Sequence, residues 1–166
     1  DRNNYVKKKL INIYWFKRDL RLEDNEPLHE ASKQSEKLLL IYFLEDKLIS
    51  DPHYSNFHWN FVKQSIEDIN LSLGKKSILF LNCDPIEGFK KISEKYKIKS
   101  IYSHMETGIE LTYLRDIDVK KYCDSNSIHW FEYEQTYVKR GLKNRKSCIK
   151  GWNEYVKSPV LKIDIK

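Results

Sequence analysis

The sequence predicts an open, parallel α/β sheet of five strands with helices on both faces. Three observations predict it. Five short apolar runs recur, at Ile11 to Phe16, Leu38 to Leu44, Ser77 to Leu81, Ser100 to Ser103 and Ile128 to Phe131. Segments with helical periodicity or helix start signals separate them, so strand and helix alternate in the rhythm of right-handed βαβ crossovers. The second run is apolar throughout, as a parallel strand covered on both faces requires. Together these features describe the Rossmann-like, doubly wound class.

Each helical segment has its own warrant. The first follows Asp24-Asn25, a pair suited to N-capping, and runs through Leu28 and Ala31 towards Ser35. The second, Asn56 to Leu73, spaces Trp59, Val62, Ile66, Ile69 and Leu73 three and four apart, an apolar stripe. The third opens with Asp84-Pro85-Ile86-Glu87, which supplies a capping carboxylate, a proline at the first helical position and a glutamate at the third. The fourth runs from about Ile109 to Tyr122, with Leu111, Leu114, Val119 and Tyr122 available for burial. After Phe131 the alternation stops. Only Ile149 to Val156, with Trp152 and Tyr155, reads as a short helix in the tail.

The 166 residues suit one domain with its own core. Hydrophobic residues make up 40% and charged residues 33%, which excludes a disordered chain. The longest apolar run is strand-sized, far below the roughly 20 residues that span a bilayer. The polar stretch Asp1 to Lys9 does not read as a signal peptide. Cys83, Cys123 and Cys148 form neither a CxxC pair nor a zinc spacing, so the expectation is a cytoplasmic protein with reduced thiols and no metal. Residues 1–135 hold 21 basic and 22 acidic side chains, whereas residues 136–166 hold nine and two. The net charge of +6 is thus expected to reside in the tail, a solvated linker or a phosphate-binding arm. The expected organisation is an extended or disordered segment at 1–10, the α/β domain at 11–134, and a basic connector at 135–166 leading to sequence beyond Lys166.

Several chemistries are excluded by motif. Phe16-Lys17-Arg18-Asp19 stands where a dinucleotide fold needs its glycines, so NAD or FAD is not expected on this sheet. Gly74-Lys75 lacks the rest of a P-loop, no GxSxG elbow occurs, and no two histidines share a metal-ligand spacing. No catalytic residue is therefore assigned within this chain.

Three segments say more. The string from Trp15 to Leu28, WFKRDLRLEDNEPL, lies at the carboxyl end of the first strand, where open α/β sheets place ligands. Within it Asp19 is a candidate partner for Arg18 or Arg21, and Asp24 or Asn25 for the helix cap. Phe57-His58-Trp59-Asn60-Phe61 opens the second helix and sets His58 at its loop end. Ser103-His104-Met105-Glu106-Thr107-Gly108, followed by Arg115-Asp116, lies past another strand end. The first string closely resembles the W-F-R-x-D-L-R-L-x-D-N-x-x-L opening of the photolyase and cryptochrome family, with Lys17-Arg18 at the Arg-x step. Arg115-Asp116 resembles the Arg-Asp after that family's fourth strand. Ile128-His129-Trp130 is similar to its fifth strand, and Asn144-Arg145-Lys146-Ser147 with Gly151-Trp152 to a connector in some bacterial members.

The resemblance, over about residues 11–157, implies the N-terminal domain of a deoxyribodipyrimidine photolyase-like flavoprotein. The parent protein would repair pyrimidine dimers in DNA with blue light, using FAD held by a larger helical domain of the same chain beyond Lys166. This domain would support that helical domain and seat an antenna, such as a folate, deazaflavin or flavin. The residues implied for the antenna are Glu45, Asp46, His58, Met105, Glu106 and Thr107. Thr112 stands where folate-binding members carry a carboxylate, which leaves the antenna's identity open. A cryptochrome-type photoreceptor, a stand-alone nucleotide-binding module of the universal-stress type, and a basic nucleic-acid adaptor built on Lys139 to Lys150 are the other readings.

Overall fold

A computed structural model describes residues 7–135, 146–163 and 165. Five strands, β1 (Lys9–Phe16), β2 (Lys37–Phe43), β3 (Ile78–Leu81), β4 (Tyr96–His104) and β5 (His129–Tyr133), form one sheet of order β3-β2-β1-β4-β5. Every pairing is parallel. The helices are α1 (Glu26–Ser32), α2 (Asp46–Ile49), α3 (Asn56–Ser72), α4 (Pro85–Lys95), α5 (Glu110–Ser125) and α6 (Lys146–Val156). The expected class is the observed one. β1 starts at Lys9, within the segment expected to be extended or disordered, and residues 1–6 of that segment lie outside the described residues. α2 is the one element without a counterpart among the sequence-predicted segments, because four residues are too few for a periodic pattern.

Strand alternation separates two cores. Ile11, Ile13 and Trp15 of β1 join Phe89 and Ile92 of α4 and Val119 and Cys123 of α5 on one face. Tyr14 and Phe16 join Leu28 and Ala31 of α1 and Val62, Ile66 and Ile69 of α3 on the other. Helices thus cover both faces, and β1 is buried from Ile11 to Phe16 because it is central.

Caps hold the helices where the sequence places them. Asn25 and Asp84 accept N–H bonds from Leu28 and Glu87. α3 ends in a Schellman turn: Gly74, at φ +68°, donates to Leu71 O at 3.0 Å, and Lys75 donates to Asn70 O at 3.1 Å. α4 lies so close to β2 that a Cβ on Gly88 would sit 2.9 Å from Cζ of Phe43 and nearer still to Cε1. The Phe43 ring is held edge-on between Trp15, at 5.7 Å, and Phe89, at 5.2 Å, and has no room to yield. Gly88→Ala gains at most about 1 kcal/mol of helix propensity and meets an overpacking cost of about 1–3 kcal/mol. The expected net result is destabilisation, read as a lower urea midpoint with an unchanged slope.

Running out along β1, β2 and β3 and back to the far side of β1 with β4 creates a reversal between β1 and β4. Crevices for ligands open outside the carboxyl ends of strands at such a point.

Candidate functional site

The chain leaving β1 is fastened to the end of β4 by a buried network. Asp19 accepts from the Lys17 N–H at 2.9 Å and from the Tyr14 hydroxyl, and His104 Nδ1, at the last residue of β4, lies 2.6 Å from its carboxylate. Asn25 Nδ2 donates to the Tyr14 oxygen at 2.7 Å, while Asn25 Oδ1 caps α1. Burial would raise the Asp19 pKa, but the bonds from His104, Tyr14 and the Lys17 N–H hold it below the usual carboxylate range. Asp19 therefore pairs with neither Arg18 nor Arg21. Of the two candidate caps, Asn25 is the one used.

Beside this network five ionisable groups share one buried cluster. Lys17 Nζ lies 3.1 Å from Asp116 and 4.3 Å from the centre of the Trp15 ring. The Arg115 guanidinium forks to Glu45 at 2.7 Å, Glu106 at 2.6 Å and Asp116 at 2.9 Å. Burial opposes charge on Arg115, yet the three carboxylates raise its pKa on balance. Burial, with Asp116 opposing and Arg115 assisting, lowers Lys17. Asp116 is pulled down by Lys17 and Arg115 against its own burial. Glu45 is pushed up by burial and by Glu106, more than Arg115 can offset. Three acids share two bases in this cluster.

Above the cluster lies a cavity of about 210 Å³ at the carboxyl ends of β1 and β2. Its polar wall is Lys17, Arg18, Glu45, Glu106 and Arg115. Its aromatic wall includes Trp15, Tyr42, Tyr54, His58 and Phe61. Tyr54 and Trp59 each stand with ring centres 4.8 Å from His58 or within 5.4 Å of one another, an aromatic corner built by the first turn of α3 and the loop before it. Burial, then Arg18, lowers the His58 pKa and favours the neutral ring.

Of the six residues singled out from sequence, Glu45, His58 and Glu106 line this cavity, and Asp46, Met105 and Thr107 do not. Asp46 is exposed at the start of α2. The Met105 N–H bonds to Tyr133 O at 2.6 Å, which ties the segment after β4 to β5. Glu45 and Glu106 are buried ion-pair partners of Arg115 rather than open side chains. Thr112 is buried and its hydroxyl bonds to Ile109 O at 2.9 Å within the first turn of α5. Sequence reasoning missed Lys17, Tyr14 and His104. The available signal was a lysine immediately after an apolar strand, where a charge needs a buried partner.

A planar ring suits the aromatic wall, and Arg18 suits a negative edge on it. The volume is below the roughly 300–1,000 Å³ of complete small-molecule sites, so the cavity as shaped accommodates a ring system rather than an entire dinucleotide. Among the described residues no group of three or more histidines, cysteines or acids could hold a metal ion. No helix among them is long and apolar enough to cross a membrane.

Known proteins share the fold that carries this cavity. The chain is 27% identical over 123 residues to the chloroplastic/mitochondrial cryptochrome DASH of Arabidopsis thaliana, covering 69% of this chain and 21% of that protein. It is 28% identical over 116 residues to cryptochrome DASH of Synechocystis, covering 66% and 23%. The chain thus spans about a fifth of the length of these curated relatives. Among solved structures, a Synechocystis cryptochrome superposes with a TM-score of 0.77 at 21% identity, over 94% of this chain and 36% of that one. An archaeal photolyase from Sulfolobus tokodaii, solved with two FAD molecules, superposes with a TM-score of 0.75 at 22% identity, over 94% and 37%. Both share the fold. The family model described as DNA photolyase matches residues 12–140, so the chain belongs to that family, as the N-terminal α/β domain of a photolyase- or cryptochrome-type protein.

Proposed function

We propose that this domain seats a light-gathering ring and supports a helical FAD-binding domain of the same chain, within a cytoplasmic protein that repairs pyrimidine dimers in DNA under blue light. The observation that carries the reading is the cavity at the β1–β2 carboxyl ends, with aromatic faces and Arg18 converging on one space. Residues 11–134 form the seat in this reading, and 135–166 the connector. The second FAD of the Sulfolobus tokodaii photolyase, described there as implying a novel light-harvesting cofactor, supports a flavin as one antenna candidate. Folate and deazaflavin remain the others. FAD bound to the helical domain would supply the photochemistry. This chain's residues would hold the antenna ring: His58 and Tyr54 against its face, Arg18 towards its polar edge. The cryptochrome names among the relatives favour a photoreceptor as the second reading. A stand-alone nucleotide-binding module is not supported by any of them.

The test is titration of the chain with a reduced folate, a 5-deazaflavin and FMN, followed by quenching of tryptophan fluorescence from Trp15 and Trp59. Saturable binding of one of them is expected, weakened by about tenfold or more in Arg18→Glu, a loss of about 1.4 kcal/mol. No saturable binding would remove the antenna role. Stoichiometric FAD in the purified chain would overturn the division of labour between the domains. For the parent protein, light-dependent restoration of dimer-containing DNA separates repair from signalling.

A further inference from the structure

Charge at the two edges of the sheet is arranged differently. At the carboxyl edge Asp19, Glu45, Glu106 and Asp116 are paired with His104, Lys17 and Arg115, as described above. The amino edge collects lysines: Lys9 opens β1, Lys37 opens β2, the pair Lys75-Lys76 ends one residue short of β3, and Lys97 and Lys99 lie early in β4. Between α1, the end of α3 and the last described residues this edge forms an open groove of about 1040 Å³. Its floor is apolar, from Leu38, Leu40 and Leu73, and its rim carries His29, Lys33, Lys37, Lys75, Lys76 and Lys162. One carboxylate, Glu36, reaches the groove, and it is paired with Lys99 outside it. Lys33 is paired with Glu30. Among the described residues Lys37, Lys75, Lys76 and Lys162 form no ion pair.

The dipole of α3 favours cations beyond its carboxyl end and accounts for Lys75 and Lys76. It does not account for Lys37, which arrives on another strand, or for Lys162, which arrives from the far end of the chain. Four ammonium groups from three separate segments line one groove, and no carboxylate among the described residues is paired with them. The rim thus presents uncompensated positive charge to an anionic partner. An open groove larger than an ordinary small-molecule site, ringed by point charges on flexible stems, suits an extended polyanion better than a compact ligand.

We propose that the amino edge of the sheet is a second binding site, one that takes the phosphodiester backbone of a nucleic acid. It is independent of whatever fills the cavity at the opposite edge, and it lies in the folded body rather than in the basic stretch Lys139 to Lys150.

Fluorescence anisotropy of a labelled duplex of about 20 base pairs, titrated with the chain between about 50 and 200 mM salt, tests it. Binding should weaken with salt by a logarithmic slope of about −0.9 for each phosphate neutralised. The triple variant Lys37→Glu, Lys75→Glu, Lys76→Glu should lose at least about tenfold in affinity and shallow that slope by about 2–3. The neutral variant with glutamine at the same three positions should fall between the two, and Lys120→Glu with Lys121→Glu on α5 should match the parent. All these lysines are exposed, and near-ultraviolet circular dichroism confirms that each variant is folded. Equal affinity in the triple variant would overturn the proposal. So would loss of binding in Lys139→Glu, Arg140→Glu, Lys143→Glu alone, or binding to anionic lipid vesicles without binding to the duplex. Full competition by millimolar inorganic phosphate would also overturn it, by showing a single-phosphate site.

Discussion

Arg115→Met is expected to remove about 3–5 kcal/mol of folding free energy at neutral pH, because it strands carboxylates that are already out of water. Methionine nearly fills the space of the arginine stem, so the loss reports charge rather than volume. Arg115 is the common partner of Glu45, Glu106 and Asp116, which come from the end of β2, the segment after β4 and α5. Removing it leaves Lys17 as the remaining cation of the cluster. The pH dependence identifies the cause. A buried carboxylate deprived of its counter-ion binds a proton more readily folded than unfolded. Its contribution to stability is therefore present at low pH and lost as pH rises through the folded pKa. Urea unfolding at about pH 5 and pH 7 should show the variant's deficit shrinking at the lower pH. The double variant Arg115→Met with Glu45→Gln should recover part of the loss, since Glu45 is the acid whose pKa is already raised by burial and by Glu106. A deficit that is equal at both pH values would show that packing, not ionisation, sets the role of Arg115.

What was legible in the sequence divides along the range of the interactions. Helix starts are local facts and were readable: Asn25, one of two candidate caps, and Asp84 cap the helices they precede, and α3 runs Asn56–Ser72 against an expected Asn56 to Leu73, with Val62, Ile66 and Ile69 buried. Strand starts were less so, since β4 begins at Tyr96, four residues before the apolar run at Ser100. The opening string was readable too, as a resemblance, though not its internal wiring. Asp19 lies beside two arginines in sequence and bonds to neither, because the β1 strand points Tyr14 towards it and the sheet brings in His104 from 85 residues away. Glu45 and Arg115 are 70 residues apart. No spacing rule connects them, so two acids that read as open ligand contacts are ion-pair partners. Charge counting failed for a related reason. A count over residues 1–135 is nearly neutral, yet parallel strands all start at one edge and end at the other. Lysines at strand starts, Lys9, Lys37, Lys97 and Lys99 among them, therefore gather at one edge, while Glu45, Glu106 and Asp116 past the strand ends are paired with Lys17 and Arg115.

Asp19→Ala is expected to cost about 3 kcal/mol or more, because it leaves several buried donors without an acceptor at about 1–3 kcal/mol each. The Lys17 N–H, the Tyr14 hydroxyl and the His104 ring all converge on its carboxylate. Asp19→Asn keeps one acceptor oxygen and should lose clearly less. The sign of the pH effect follows from the depressed pKa of Asp19. Its contribution to stability is complete above the ordinary carboxylate range, near about 4, and is lost as pH falls through the lower folded value. Asp116, depressed by Lys17 and Arg115, adds to the same acid limb. Asp19→Asn should therefore lower the plateau and flatten the decline below about pH 4, while leaving the Asp116 component in place. The consequence extends to the cavity. Asp19 holds the turn that carries Lys17 into the ion cluster and Arg18 into the cavity wall, and it ties β1 to β4 across the reversal of strand order. A folded Asp19→Asn protein should thus bind an antenna ring more weakly than the parent, although Asp19 does not line the cavity. Unchanged ring affinity in that variant would confine the network to stability and leave the wall to be positioned by Arg115 alone.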